Sequence, residues 1–159
     1  MSADLKDYRA ARRAFITACE KAGVDTIARV HPAKGADGNP LFMDSAALGP
    51  RLARKAVVAI AQDLSGSQAL TQLLRNPVAL PPDTRLLLVH APDPAGFAGA
   101  GSDTHWREAS LSALATEDLS KVETPVILNL NGALSPLSGA ADVPVRDVRT
   151  RILAELAAL

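Results

Sequence analysis

Apolar positions recur at helical spacing at both ends of this chain, while short apolar runs fill its middle. Leu5, Tyr8, Arg12, Phe15, Ile16 and Cys19 fall at steps of three and four. That spacing predicts a helix over residues 4–22, with Ser2 as its N-cap and Gly23 as its stop. Residues 26–31 alternate like a strand, and Ala36-Asp37-Gly38-Asn39-Pro40 is turn chemistry. Residues 41–44 then read as a returning strand, so 26–44 is expected to be an antiparallel hairpin. After Lys55 the run to Ala61 is continuously apolar, as in a strand covered on both faces.

A short helix is expected over 66–75. Pro77, Pro81 and Pro82 make 76–83 a loop. Residues 85–91 read as a second central strand and 92–102, with Gly96, Gly99 and Gly101, as a loop. Trp106, Leu111 and Leu114 give helical spacing over 104–115, and 125–130 is a third apolar strand. Residues 131–144 are expected to form a loop. The chain closes on a helix over 145–159 with Val148, Ile152, Leu153 and Leu156 on one side. Helix, hairpin, then strand–helix units predict an α/β fold: three α/β/α layers with a mixed, mostly parallel sheet. No repeat or long linker divides the 159 residues, so one domain is expected over 1–159.

Composition narrows this only at the margins. Hydrophobic residues make up 48% of the chain but aromatics only 3%, so aliphatic side chains must fill the core. Lys plus Arg and Asp plus Glu are 17 each, which offers no electrostatic footprint for nucleic acid or an anionic membrane. No apolar run approaches a membrane span, and the N-terminus lacks a signal peptide's pattern. The single cysteine, Cys19, allows no intrachain disulfide and suits a reducing cytoplasm. It lies on the apolar side of the first helix and reads as a buried, inert thiol. Arg9, Arg12 and Arg13 could form an anion patch, but a solvated face paired with Asp7 and Glu20 is the simpler reading.

Three segments resemble a known family. They are Tyr8-Arg9-Ala10-Ala11-Arg12-Arg13-Ala14-Phe15 with His31-Pro32-Ala33-Lys34-Gly35 and its turn; Leu48-Gly49-Pro50 with the strand to Ala61; and Leu80-Pro81-Pro82-Asp83-Thr84-Arg85-Leu86-Leu87-Leu88-Val89-His90-Ala91 with Pro94-Ala95-Gly96-Phe97. In order and spacing they resemble the DUF2817 group of M14-like zinc carboxypeptidases, related to aspartoacylase and succinylglutamate desuccinylase. The resemblance covers residues 1–98, and 99–159 diverge. It implies a cut-down M14-peptidase-like scaffold, since family members are about twice as long. It also implies a metal motif, His-Gly-x-Glu-Gly, directly after the strand at 55–61. Ser65 falls at the place of the His and Gln68 at that of the Glu, with Gly66 retained. A hydroxyl and an amide are poor zinc donors. No Asn-Arg substrate clamp, third zinc ligand or catalytic Glu is recognisable further on.

The remaining candidates are few. Ligands in open α/β sheets bind outside the carboxyl ends of the strands. A surviving pocket would therefore draw on Asp63, Ser65, Gln68, His90 and Asp93. Asp63, Ser65 and Ser67 serve equally well as N-caps, His90 as a hydrogen-bonded structural histidine, and His31 has no assigned role. His105-Trp106-Arg107-Glu108 places a His and a Glu on one helix face, and Asp103, His90 or Asp93 would have to complete a zinc site. The expectation is a non-catalytic, degenerate member that binds a protein or ligand without a cofactor, as a homodimer or with a partner protein. The alternative is a small zinc-dependent hydrolase with a relocated site at His105 and Glu108.

Overall fold

The computed structural model describes residues 2–131 and 140–159. The first helix, α1, spans Ala3–Ala22. Ser2 Oγ accepts the Leu5 N–H at 3.2 Å, and Gly23, at φ 69°, ends the helix in the left-handed region. Leu5, Tyr8, Ala11, Phe15, Ala18 and Cys19 form its buried face.

The hairpin of β1 (Thr26–Lys34) and β2 (Pro40–Leu48) is antiparallel and longer at its turn and at its end than the sequence reading. Its register shifts between Val30 and Lys34, around Pro32, which has no N–H to give to the ladder. β3 is Lys55–Ala61, α2 is Leu64–Arg75 and β4 is Thr84–His90. A one-turn helix, α3 (Pro94–Phe97), lies where a loop was expected: Asp93 caps it, and one turn is too short to show a period. Then come α4 (Thr104–Asp118) and β5 (Val126–Leu130). A second departure is β6 (Ala140–Val143), inside the expected loop 131–144, of which 132–139 lie outside the described residues. β6 joins parallel to β5 through backbone pairing, and its short Ala-Ala-Asp-Val sequence carries no apolar run. A 3-10 turn, Val145–Asp147, leads into α5 (Val148–Ala158).

The six strands among the described residues lie in the order β1-β2-β4-β3-β5-β6. β2 pairs antiparallel with β4, whereas β4–β3, β3–β5 and β5–β6 are parallel. The sheet is thus mixed and mostly parallel, and the fold is α/β as expected. Successive residues of the central strands serve opposite faces. Val57, Ala59, Ala61, Leu86 and Leu88 pack with residues of α1, α2 and α5; Val58, Ile60, Leu87 and Val89 pack with Leu114 of α4. This two-sided burial explains the unbroken apolar runs of β3 and β4. Val148, Ile152 and Leu156 of α5 enter the main core, leaving Leu153 exposed. Among the described residues, no helix is long and apolar enough to cross a membrane.

Candidate functional site

The carboxyl ends of β3, β4 and β5 meet at one rim of the sheet. Asp63 leaves β3 in extended conformation and caps α2: its Oδ1 accepts the Gly66 N–H at 2.7 Å. A Cβ on Gly66 would stand 2.8 Å from that oxygen and 3.2 Å from Ala61 Cβ, so a side chain there would make the Asp63 carboxylate shift. Asp63 Oδ2 accepts from Asn131 Nδ2 at 3.2 Å, and the same amide donates to Ser65 Oγ at 2.7 Å. Asn131 follows β5 at φ 61° and accepts the Val145 N–H at 3.0 Å. Sequence reasoning missed Asn131, although an Asn directly after a strand is a good candidate for the left-handed region. Gln62 was also missed. Its amide clips the two strand exits together, donating to the Asp93 carbonyl at 2.6 Å and accepting the Asp93 N–H at 3.0 Å.

Ser65 and Gln68 are exposed and border an open cleft of about 600 Å³ between α1, α2 and the 3-10 turn. Ser67, Thr71, Gln72, Arg75 and Arg146 complete its polar lining. His90, at the end of β4, does not line the cleft: it is fully buried, its ring stacked on Phe15 with centroids 5.1 Å apart. Its Nε2 lies 2.7 Å from Ser67 Oγ, and its Nδ1 has no partner among the described residues. Burial, helped by the nearby Arg12 charge, lowers its pKa to about 3, so the ring is neutral. Asp93 is buried too. Its carboxylate accepts from the Gly96 N–H, the Ser102 hydroxyl and the Asp103 N–H.

His105 and Glu108 both lie exposed on the first turns of α4. The residues proposed to join them are engaged otherwise. Asp103 caps α4 by accepting the Trp106 N–H at 3.0 Å, and its other oxygen lies 2.7 Å from His31 Nε2. His31 Nδ1 accepts the Ala33 N–H at 3.0 Å, which leaves the proton on Nε2 to donate to Asp103. Both bonds hold the Asp103 carboxyl below its ordinary range, the Trp106 bond more strongly. His31 therefore ties edge strand β1 to the start of α4. Among the described residues, no three His, Cys, Asp or Glu side chains converge as a metal site. The zinc implied by the M14 resemblance is not matched at the β3 exit: Ser65 and Gln68 are weak donors, and Asp63 already accepts two hydrogen bonds.

The arginines of α1 pair across elements rather than along their own helix. Arg9 Nη2 meets Asp37 in the hairpin turn at 2.9 Å. Arg12 Nε and Nη2 reach the buried Asp44 carboxylate at 2.7 and 3.0 Å, with the guanidinium over the Phe42 ring. Only Arg13 keeps the solvated position expected of all three.

No curated protein matches the sequence. Solved structures resemble it weakly. The chain is 14% identical to Macrostomum lignano glutaminyl cyclase over 80% of its own length, with a TM-score of 0.49. It is 12% identical to the Fimbriiglobus ruber glutaminyl cyclase over 75%, with a TM-score of 0.47. Legionella pneumophila aminopeptidase LapA is 14% identical over 79%, with a TM-score of 0.45. The chain spans about half the length of these cyclases, 50% and 51%, and 36% of the aminopeptidase. Residues 5–105, which include all three of the segments quoted above and every strand through β4, match the family model described as "protein of unknown function (DUF2817)", and the chain belongs to that family.

Proposed function

We propose that this chain is a non-catalytic domain on a peptidase-like scaffold of M14 type, one that has lost its metal site and works by binding. One observation carries this reading: the polar groups at the strand exits are spent inside the protein. Asp63 caps a helix and holds Asn131, Asp93 ties down the α3 segment, and neutral His90 is sealed beneath α1. A general base or metal ligand must face substrate with a lone pair to offer; His90 and Asp93 are buried, and both oxygens of Asp63 already accept hydrogen bonds. The exposed pair, Ser65 and Gln68, can form hydrogen bonds to a bound molecule in the cleft they border.

The binding partner in this reading is a second copy of the chain or another protein. Edge strand β1 is nine residues long and, among the described residues, pairs only with β2, with Ile27 and Val30 46% and 60% exposed. Open edges of this kind invite pairing. A reducing cytoplasm belongs to the same reading, because the single cysteine, Cys19, is a buried free thiol.

Metal analysis of protein purified without chelator, followed by light scattering across a concentration series, tests the proposal. The expected outcome is zinc far below one equivalent and a mass that rises to that of a dimer, or a protein partner recovered by pull-down. Stoichiometric zinc that is lost in a Ser65→Ala, Gln68→Ala variant would sink the reading. Zinc lost in His105→Ala would instead establish a relocated hydrolase site.

A further inference from the structure

The second face of the sheet is incompletely covered. Among the described residues, its helical cover comes from α4 and the connection that follows. The buried residues of α4 are Arg107, Ser110 and Leu114, of which only Leu114 is a large apolar group. A cavity of about 150 Å³ remains between this helix and the strands. Val58, Ile60, Leu87 and Val89 form its floor, with Leu114 and Ala115 above, and every lining side chain is apolar. The strand backbones beneath are paired with one another in the sheet, so the floor offers a guest no hydrogen bond.

We propose that this cavity binds a small uncharged hydrocarbon group: an aromatic ring or a branched chain of about six carbons. The cavity opens to solvent beside the exposed Ala115, and its volume is enough for a benzene-sized guest. Buried hydrocarbon gains free energy in proportion to the area removed from water, whereas a polar or charged guest would lose its hydration without return. The guest is a small molecule rather than a protein surface. The large exposed apolar residues Ile27, Val30, Leu52 and Leu153 do not border the cavity, and Thr116, Lys121, Glu123 and Thr124 around it are exposed and polar. A stable protein interface needs about 800 Å² on each partner, far more than this opening presents.

The test is titration of the full chain with toluene, followed by methyl proton–carbon spectra, with phenol as the polar comparison. The expected result is saturable shifts at the methyls of Val58, Ile60, Leu87 and Leu114. Phenol should bind more weakly, since neither the strand floor nor a lining side chain offers its hydroxyl a hydrogen bond. Ala115→Leu, which fills the opening, should weaken toluene by at least about tenfold while the remaining spectrum is kept. Should Ala115→Leu fail to fold, Val58→Ile fills the same space from the floor. Three results would overturn the proposal: no saturable shift up to the solubility of toluene, phenol binding as tightly as toluene, or unchanged toluene affinity in whichever of the two variants folds.

Discussion

His90 and Asp44 are cross-strand partners in the β2–β4 register, and neither side chain reaches solvent. They couple folding to pH in opposite directions. Burial raises the pKa of Asp44, against the pull of its Arg12 partner, so its proton is held more readily in the fold than outside it. Its contribution therefore grows as pH falls through the carboxylate range and fades as pH rises. His90 does the reverse. Its folded pKa of about 3 lies below the ordinary 6.5, so the unfolded chain binds a proton that the folded chain refuses. The stability it confers is complete above pH 6.5 and is lost as pH falls toward 3. That loss amounts to at most about 1.4 kcal/mol per pH unit. Urea unfolding of the wild type and of His90→Asn at pH 7, 6, 5 and 4 isolates the effect. The difference in stability between the two should shrink steadily below pH 6.5; a difference independent of pH would show that His90 is not held neutral.

At the scale of elements, the joins matter more than the elements themselves. Gly49 ends β2 at φ 93°, and a Cβ there would stand 2.3 Å from the Thr84 carbonyl of β4. Gly23 at the end of α1 has a similar dihedral but open space. Gly23→Ala should therefore cost about 1 kcal/mol, and Gly49→Ala about 3 kcal/mol or more, because backbone must move. Thermal or urea unfolding of the two variants measures the contrast, and equal losses would contradict the close approach. The same distinction governs what could be read from the sequence. β3, β4 and β5 declared themselves because both faces are buried, and α1 because Leu5, Tyr8, Phe15 and Cys19 all point inward. α3 and β6 did not, since one turn and four residues have no period. The strand-exit rim was legible as a place, through Asp63, Ser65 and His90. Its wiring was not, because Gln62 and the arginine pairs of α1 meet partners at least 28 residues away, and Asn131 reaches back 66 and 68 residues to Ser65 and Asp63.

At the scale of the whole molecule, β4 joins two kinds of sheet, antiparallel toward the hairpin and parallel toward β3. It also comes late: β2 and β3 are separated in sequence only by residues 49–54, yet in the folded sheet β4 lies between them. Since β2 is antiparallel to β4 and β4 parallel to β3, β2 and β3 run in opposite directions. Two apolar strands so placed have everything a hairpin requires, and local contacts form faster than distant ones. The chain should therefore form a β2–β3 hairpin early and have to open it before β4 can enter. Refolding followed by stopped flow should then slow down relative to the linear trend at low denaturant, where the premature pairing is most stable. A linear folding limb with full amplitude would mean that β2 and β3 wait apart for the strand that separates them.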